Sequence, residues 1–373
     1  MPPDPPSPDR SPMHAERRRT IWVTDAHYGG DVSRVVLRGI PRVPGNSVLE
    51  KRHWLEDEGD SLRRMLLGPP YGDPSMCANV IVDPTIPEAQ AGYVIMEAMG
   101  YPHFSGSNSI CVVAALLEAG EIPLGPAGDQ TVLLEAPAGL ITAVAHHDGT
   151  HVHAVALDCD AAWVAARNVV VELPDFGPVT FDLVWSGCFY AMVDAEANGF
   201  ALTAAERPTL AEFAHELCLV ATGEVDLTHP SFGDTGHLSF VGISGPVPDG
   251  PVPDGTVIRS ATYVHPGVVC RCPTGTGTAA RMALLADDGR LAPGSRVVTE
   301  SPTGSRMTGE IVEHPELHGR RATRARITGR PFTLGVTELV VNFDDDLTEC
   351  DGIWELLDLP DFEWPPTDRR AAS

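Results

Sequence analysis

The sequence predicts an α/β fold built from two similar halves. Most of the chain reads as short strands broken by Gly and Pro, with few stretches of helical periodicity. The two most apolar helical stretches, at 107–120 and 277–289, also resemble one another in the loops that lead into them.

Taken in order, residues 1–19 are Pro-rich and polar and are expected to be a disordered leader. They lack the apolar stretch of a secretory signal. Residues 21–50 alternate apolar and polar with Gly and Pro punctuation, which predicts strands and turns. Helical spacing runs from Leu49 to Leu67, and strands fit 78–84 and 91–99. The first apolar helix, Ser107 to Gly120, opens with hydroxyl and amide side chains suited to capping and closes at Gly. Strand-rich segments follow at 130–158 and 168–195, then a helix over Thr203–Thr222. The pentapeptide PVPDG occurs twice, at 246–250 and 251–255, and predicts a surface loop. A strand at 260–269 and the second apolar helix precede further strands and a loose tail, 363–373.

Composition narrows the function. The 373 residues are 43% hydrophobic and 21% charged, a globular balance that can bury a real core. A net charge of −25 opposes binding to a phosphate backbone, so nucleic acid is not an expected partner. No apolar run approaches a membrane span, so no membrane partner is expected either. Eight scattered cysteines without a CxxC predict free, mostly packing thiols in a cytoplasmic protein.

The two apolar helices echo each other at one constant offset. Gly106 matches Gly275, Ala114 matches Ala283, Leu116 matches Leu285 and Gly120 matches Gly289. Hydroxyls match at Ser105/Thr274, Ser107/Thr276 and Ser109/Thr278. Each loop delivers Gly and hydroxyl groups to a helix N-terminus, where unpaired N–H groups and the positive end of the dipole lie. Two such ends facing one another can hold a carboxylate and stabilise charge that develops on it. The plainer reading, that Ser and Thr are only N-caps and Gly only a turn residue, suits either segment alone. The paired occurrence favours an anion site.

These segments also carry a family resemblance. Phe104-Ser105-Gly106-Ser107-Asn108 resembles the MCGH motif of proline racemases and hydroxyproline epimerases, and Cys270-Arg271-Cys272-Pro273-Thr274-Gly275-Thr276-Gly277-Thr278 resembles their DRSPCGTGT motif. Asp25 to Gly30 is similar to the family's DxHxGG, Gly187 to Ala191 to its GxFYA, and His229-Pro230 to its HP. Gly100-Tyr101, Thr328-Gly329 and the acidic run 344–346 fit as well, so the resemblance covers about residues 20–350.

The resemblance implies a diaminopimelate epimerase-like fold: two pseudosymmetric α/β halves, each a mainly antiparallel sheet wrapped around a central helix, with the site in the cleft between. The expected division is a leader at 1–19, an N-terminal half at 20–186 completed by the C-terminal strand, a C-terminal half at 187–345, and a C-terminal segment and tail at 346–373. The resemblance implies no metal and no pyridoxal cofactor. It also implies two thiols on opposite faces of the substrate's α-carbon, one taking the proton and the other returning it. Here those positions are Ser105 and Thr274, the family's His is Ser107, and the Asp that contacts the substrate amine is Cys270. Among relatives, loss of the second thiol is the pattern of trans-3-hydroxy-L-proline dehydratases, which need one base.

A hydroxyl is a poorer base than a thiolate, so Ser105 needs a neighbour to accept its proton, and His27, His103 and His229 are the candidates for proximity. Cys270 and Cys272 are the alternative carriers of proton transfer. The expected site is Ser105 and Thr274 as catalytic pair, with Gly106, Ser107, Asn108, His229, Cys270, Gly275 and Thr276 binding substrate. The expected partner is a small proline-type amino acid; the oligomeric state stays open, a homodimer being one arrangement. The leading activity is dehydration of trans-3-hydroxy-L-proline to a Δ2-pyrroline carboxylate. Racemisation or 2-epimerisation, non-catalytic binding of a cyclic amino acid, and repurposing for a specialised metabolite are the rivals. No residue cluster has metal-ligand spacing and no Lys sits in a cofactor motif, so turnover is expected to survive dialysis and EDTA; loss that a metal restores would contradict this.

Overall fold

In the computed structural model, which describes residues 18–346 and Thr348, the chain forms a 17-stranded sheet and two 2-stranded ones around two central helices. Of the leader expected at 1–19, residues 1–17 lie outside the described residues, while Arg18 and Arg19 begin the first strand, paired with Asn342 and Val341; of the C-terminal segment expected at 346–373, residues 347 and 349–373 lie outside them.

The strands of the first half are β1 (Arg18–Tyr28), β2 (Asp31–Arg38), β3 (Cys77–Val82), β4 (Ala91–Met96), β5 (Gly128–Ala136), β6 (Gly139–His147) and β7 (Val152–Asp158). Then come β8 (Trp163–Leu173), β9 (Gly177–Trp185), β10 (Phe189–Asp194), β11 (Thr228–His229), β12 (Gly233–Asp234), β13 (Phe240–Ser244), β14 (Thr256–Val264) and β15 (Val268–Val269). The chain closes with β16 (Arg296–Glu300), β17 (Arg306–Glu313), β18 (Glu316–Leu317), β19 (Arg320–Arg321), β20 (Arg324–Gly329) and β21 (Phe332–Asn342). The helices are α1 (Val48–Asp57), α2 (Asp60–Leu67), α3 (Gly106–Glu118), α4 (Arg207–Thr222) and α5 (Gly275–Asp287).

Most pairings are antiparallel; β2–β3, β4–β5, β10–β13 and β14–β16 are parallel. The last long strand, β21, returns to pair with β1 from Arg18↔Asn342 onward. Strand β20 pairs with β7 on one side and β17 on the other, and so joins the two halves. Strand β14 is shared between two partners within the second half: Thr256–Arg259 pairs with β16 and Ser260–Val264 with β13.

The sheet wraps α3 and α5. Every residue of α3 from Asn108 to Leu117 is buried, and in α5 only Arg281 and Asp287 escape burial. A helix apolar all round has no solvent face and must be enclosed. Helix α3 packs on β1, β2, β3, β6, β7, β20 and β21, and α5 on β8, β9, β10, β13, β17 and β20. Helices α1 and α2 lie over β3, β4 and β5, which is why β4, AGYVIM, is buried on both faces and reads as a continuous apolar run. Helix α4 covers β8, β13, β14 and β15 and is entered through a capping box between Thr203 and Glu206. No described helix is long and apolar enough to cross a membrane.

Packing assigns the strands differently from the boundary drawn at 186/187. Strands β8 and β9 precede residue 187 yet lie on α5. Strand alternation carries no mark of which helix a strand will cover, so we propose the division between β7 and β8.

The N-termini of α3 and α5 abut. A Cβ added to Gly275 would lie 2.8 Å from Gly106 Cα, and one added to Gly106 would lie 3.0 Å from Gly275 Cα; both would also strike Ile327 of β20. Only residues without a side chain permit this approach. Gly106→Ala or Gly275→Ala should each lower stability by about 1–3 kcal/mol, the usual cost of overpacking, read as a shift in denaturant midpoint; an unshifted midpoint would show the contact to be looser than described.

Candidate active site

The meeting of the two helix ends leaves a pocket between the halves, as small-molecule sites commonly lie where two units meet. Ser105, Ser107, Cys270, Cys272, Thr274 and Thr276 all line it. The two positions matched by the internal echo therefore share one cavity.

The two hydroxyls have different partners. Ser105 is the N-cap of α3, but its side chain makes no capping bond. Its Oγ instead accepts a hydrogen bond from Asn108 Nδ2 at 3.0 Å. The other N–H of that amide donates to Glu97 Oε1 at 2.8 Å, while Ser33 Oγ donates to Asn108 Oδ1 at 2.9 Å. Asn79 Nδ2 donates to Ser33 Oγ at 2.8 Å and fixes the far end of the chain of bonds. Thr274, by contrast, does cap its helix: Oγ1 accepts from the Gly277 N–H at 3.1 Å and is 3.0 Å from Thr262 Oγ1. Its φ of 58° is unusual for a β-branched residue and marks a strained position held by its surroundings.

Glu97 follows β4 and lines the pocket. Burial pushes its carboxyl up to about 7, against the pull of hydrogen bonds from Cys77, Asn108 and Ser105, and the charge of Asp31 adds to the rise. Asp31, which also lines the pocket, is likewise raised by burial. It accepts the Arg271 and Cys272 N–H groups, each at 2.8 Å, and the Cys272 thiol, and so ties the second loop to the first half. Burial drives the Cys77, Cys270 and Cys272 thiols well above their usual range, which keeps them protonated.

The remaining expected residues divide. Thr276 faces the cavity and its hydroxyl is 2.6 Å from Tyr190 Oη. Gly106 and Gly275 form the junction, and Asn108 lies buried behind Ser105. None of the three histidines lines the pocket. His229 packs 4.2 Å from the Trp185 ring, and its Nδ1 accepts the Ser231 and Phe232 N–H groups. Burial pushes it down to about 4 and His103 to about 3, so both stay neutral. His103 lines an adjoining cavity that shares Pro102 and Phe240 with this one, and His27 stacks on Phe332.

Sequence reasoning missed Glu97, Asp31 and Cys77. One signal for Glu97 was present: it is an acid inside an otherwise apolar run, VIMEAM. Chemically, the site offers first-turn N–H groups of α3 and α5 to an anion, and a hydroxyl tied to a titratable carboxyl on one wall.

A sequence profile described as "Proline racemase" matches residues 23–350. A protein of Chromohalobacter salexigens is 41% identical over 338 residues, 91% of this chain and 93% of its own. The 4-hydroxyproline 2-epimerase of Allorhizobium ampelinum is 32% identical over 332 residues, 88% of this chain and 94% of its own. The crystal structure of a hydroxyproline epimerase from Agrobacterium vitis, with bound trans-4-hydroxy-L-proline, superimposes with a TM-score of 0.84 at 31% identity, covering 90% of this chain and 95% of that one.

Burial of Glu97 has a consequence for stability. Its folded value of about 7 lies above the ordinary 4.5, so the unfolded chain releases this proton first as pH rises. Its contribution to stability therefore falls between about pH 4.5 and 7 and is level above that, a loss on the order of 3 kcal/mol. Glu97→Gln should lack that slope, measured by urea unfolding at about pH 5 and about pH 7.5; equal slopes would place the titration elsewhere.

Proposed function

The chain belongs to the proline racemase family, and on that premise we propose that it removes the α-proton of a proline-type amino acid, dehydrating trans-3-hydroxy-L-proline to a Δ2-pyrroline carboxylate. In this reading the substrate carboxylate sits against the first-turn N–H groups at Gly106, Ser107, Gly275 and Thr276, where the helix ends stabilise the enolate-like charge. Ser105 faces the α-hydrogen. The described cysteines, all free, suit a reducing compartment, so the enzyme is assigned to the cytoplasm.

The observation that carries the reading is the unequal pair of hydroxyls. Ser105 is bonded to a network that ends in a carboxyl, whereas the hydrogen-bond partners of Thr274 are a threonine hydroxyl and a backbone amide. Racemisation needs groups on both faces that exchange donor and acceptor roles. Elimination needs a base on one face, after which the β-hydroxyl leaves. A second reading, 2-epimerisation of a hydroxyproline, is favoured by the names of the Allorhizobium and Agrobacterium proteins and by the Asp31–Cys272 pair, which also lines the pocket.

A panel of proline analogues followed by NMR in deuterated water separates these. Turnover of trans-3-hydroxy-L-proline should exceed racemisation of L-proline, with a keto-form product and no recovered epimer. Ser105→Ala should lower turnover by about 10²–10⁴-fold, the usual contribution of a positioned acid or base. Thr274→Cys should raise deuterium exchange into L-proline, because a thiol there restores the second acid/base. Full activity in Ser105→Ala together with none in Cys270→Ala or Cys272→Ala would move the base to the thiols. Silence of every variant and every analogue would favour a non-catalytic binder.

A further inference from the structure

Ser105 lacks the neighbour that the sequence asked for among the histidines, and the site holds a different one. We infer that Glu97 is the group that receives the proton from Ser105 during α-proton removal, an assignment that rests on the reading under Proposed function.

Three observations converge. Glu97 lines the same cavity as Ser105, and the Ser105 hydroxyl is near enough to pull the Glu97 carboxyl down against the effect of burial. The Asn108 amide donates one N–H to each of them, at 3.0 Å to the hydroxyl and 2.8 Å to the carboxyl, which holds the two oxygens in one fixed arrangement. Asn108 itself cannot turn, because Ser33 Oγ donates to its carbonyl at 2.9 Å. A hydroxyl that served only as a helix cap would be bound to its own first-turn N–H groups, as Thr274 is, and Ser105 is not. Burial supplies the last element: it lifts this carboxyl to about 7, so it is ionised and still basic near neutral pH, where an exposed Glu would be a much weaker base.

The step balances without a further reactant. The α C–H bond breaks and its proton goes to Ser105 Oγ as the Ser105 proton passes to the Glu97 carboxylate. The C–H electron pair becomes the Cα–Cβ double bond, and the Cβ–O bond breaks. The departing hydroxide takes back a proton from the Glu97–Ser105 pair and leaves as water, which restores the starting carboxylate.

Other ionisable groups face Glu97 from the elements around it. Asp31 of β2 raises it, Cys77 of β3 donates to it, and Cys188, Tyr190 and Cys270 are near, all with pKa values lifted by burial. Arg63 of α2 donates to the Glu97 backbone carbonyl rather than to its carboxyl. The thiols and the phenol titrate above the neutral range, which leaves Asp31 as the competing acid.

The test is kinetic. Wild-type kcat/KM for trans-3-hydroxy-L-proline should rise with pH to a midpoint near the Glu97 value of about 7 and then level. Glu97→Gln keeps the shape and an acceptor for Asn108, so a folded variant should lose at least about 100-fold in kcat with KM nearly unchanged, and its residual rate should lose the acid limb. Glu97→Asp should recover part of the rate and keep the limb. Asp31→Asn should keep the limb and move it to lower pH. Wild-type rates in Glu97→Gln, or an acid limb that vanishes in Asp31→Asn but persists in Glu97→Gln, would overturn the assignment. A wild-type profile that is flat between about pH 5 and 9 would also overturn it, even where Glu97→Gln fails to fold. No turnover by the wild type with any proline analogue removes the assignment together with the functional reading; equal kcat in wild type and Glu97→Gln removes the assignment alone.

Discussion

The approach of two helix ends at Gly106 and Gly275 is the constraint on which the rest of the molecule depends. With no side chain at either position, the α3 and α5 backbones come close enough for a Cβ on one to sit 2.8–3.0 Å from the Cα of the other. The ends carry like partial charges, since each is the positive pole of its helix, and their approach favours an anion between them. The sheet supplies the enclosing force: both helices are apolar nearly all round and must be covered by strands, and β20 contributes Ile327 to the junction. The site is thus a by-product of burying two apolar helices end to end.

That arrangement puts polar chemistry where water is scarce. Asp31 and Glu97 lie at the wall of the same cavity, and burial raises both. Each is held by donors rather than by a direct cation: Asp31 by two backbone N–H groups, Glu97 by the Asn108 amide. Hydrogen bonds without a full counter-charge stabilise a carboxylate only partly, so the protonated form stays accessible near neutrality. Proton-transfer sites need groups whose two forms are close in free energy.

Much of the fold was legible because its signals are local. Helical spacing marked α3, α4 and α5 and the stretch Leu49–Leu67, which the structure breaks at Glu58–Gly59 into α1 and α2, and alternation or continuous apolar runs marked β3, β4 and most later strands. The echo between Ser105–Gly120 and Thr274–Gly289 pointed to a shared cavity because repeated local chemistry implies repeated local structure. Histidine proximity was not legible: His229 was a candidate neighbour of Ser105, yet its ring is held in an aromatic cluster with Trp185 and Phe232. The division of strands between the halves was hidden for a similar reason, since β8 and β9 carry no local mark of the helix they cover.

The sequence by itself determined the helix ends, the Gly-and-hydroxyl loops and the replacement of two expected thiols by Ser105 and Thr274. Each depends on residue type and spacing along a few turns of chain. Only the tertiary structure decided what those hydroxyls touch. Asn108 and Glu97 reach Ser105 because a turn after β4 brings the strand end beside the start of α3, while Thr274 turns back on its own helix. Burial then set the ionisation of Glu97, and burial belongs to the whole enclosure: the same acid in the same local sequence would titrate as an ordinary glutamate if α3 and α5 were not closed over it.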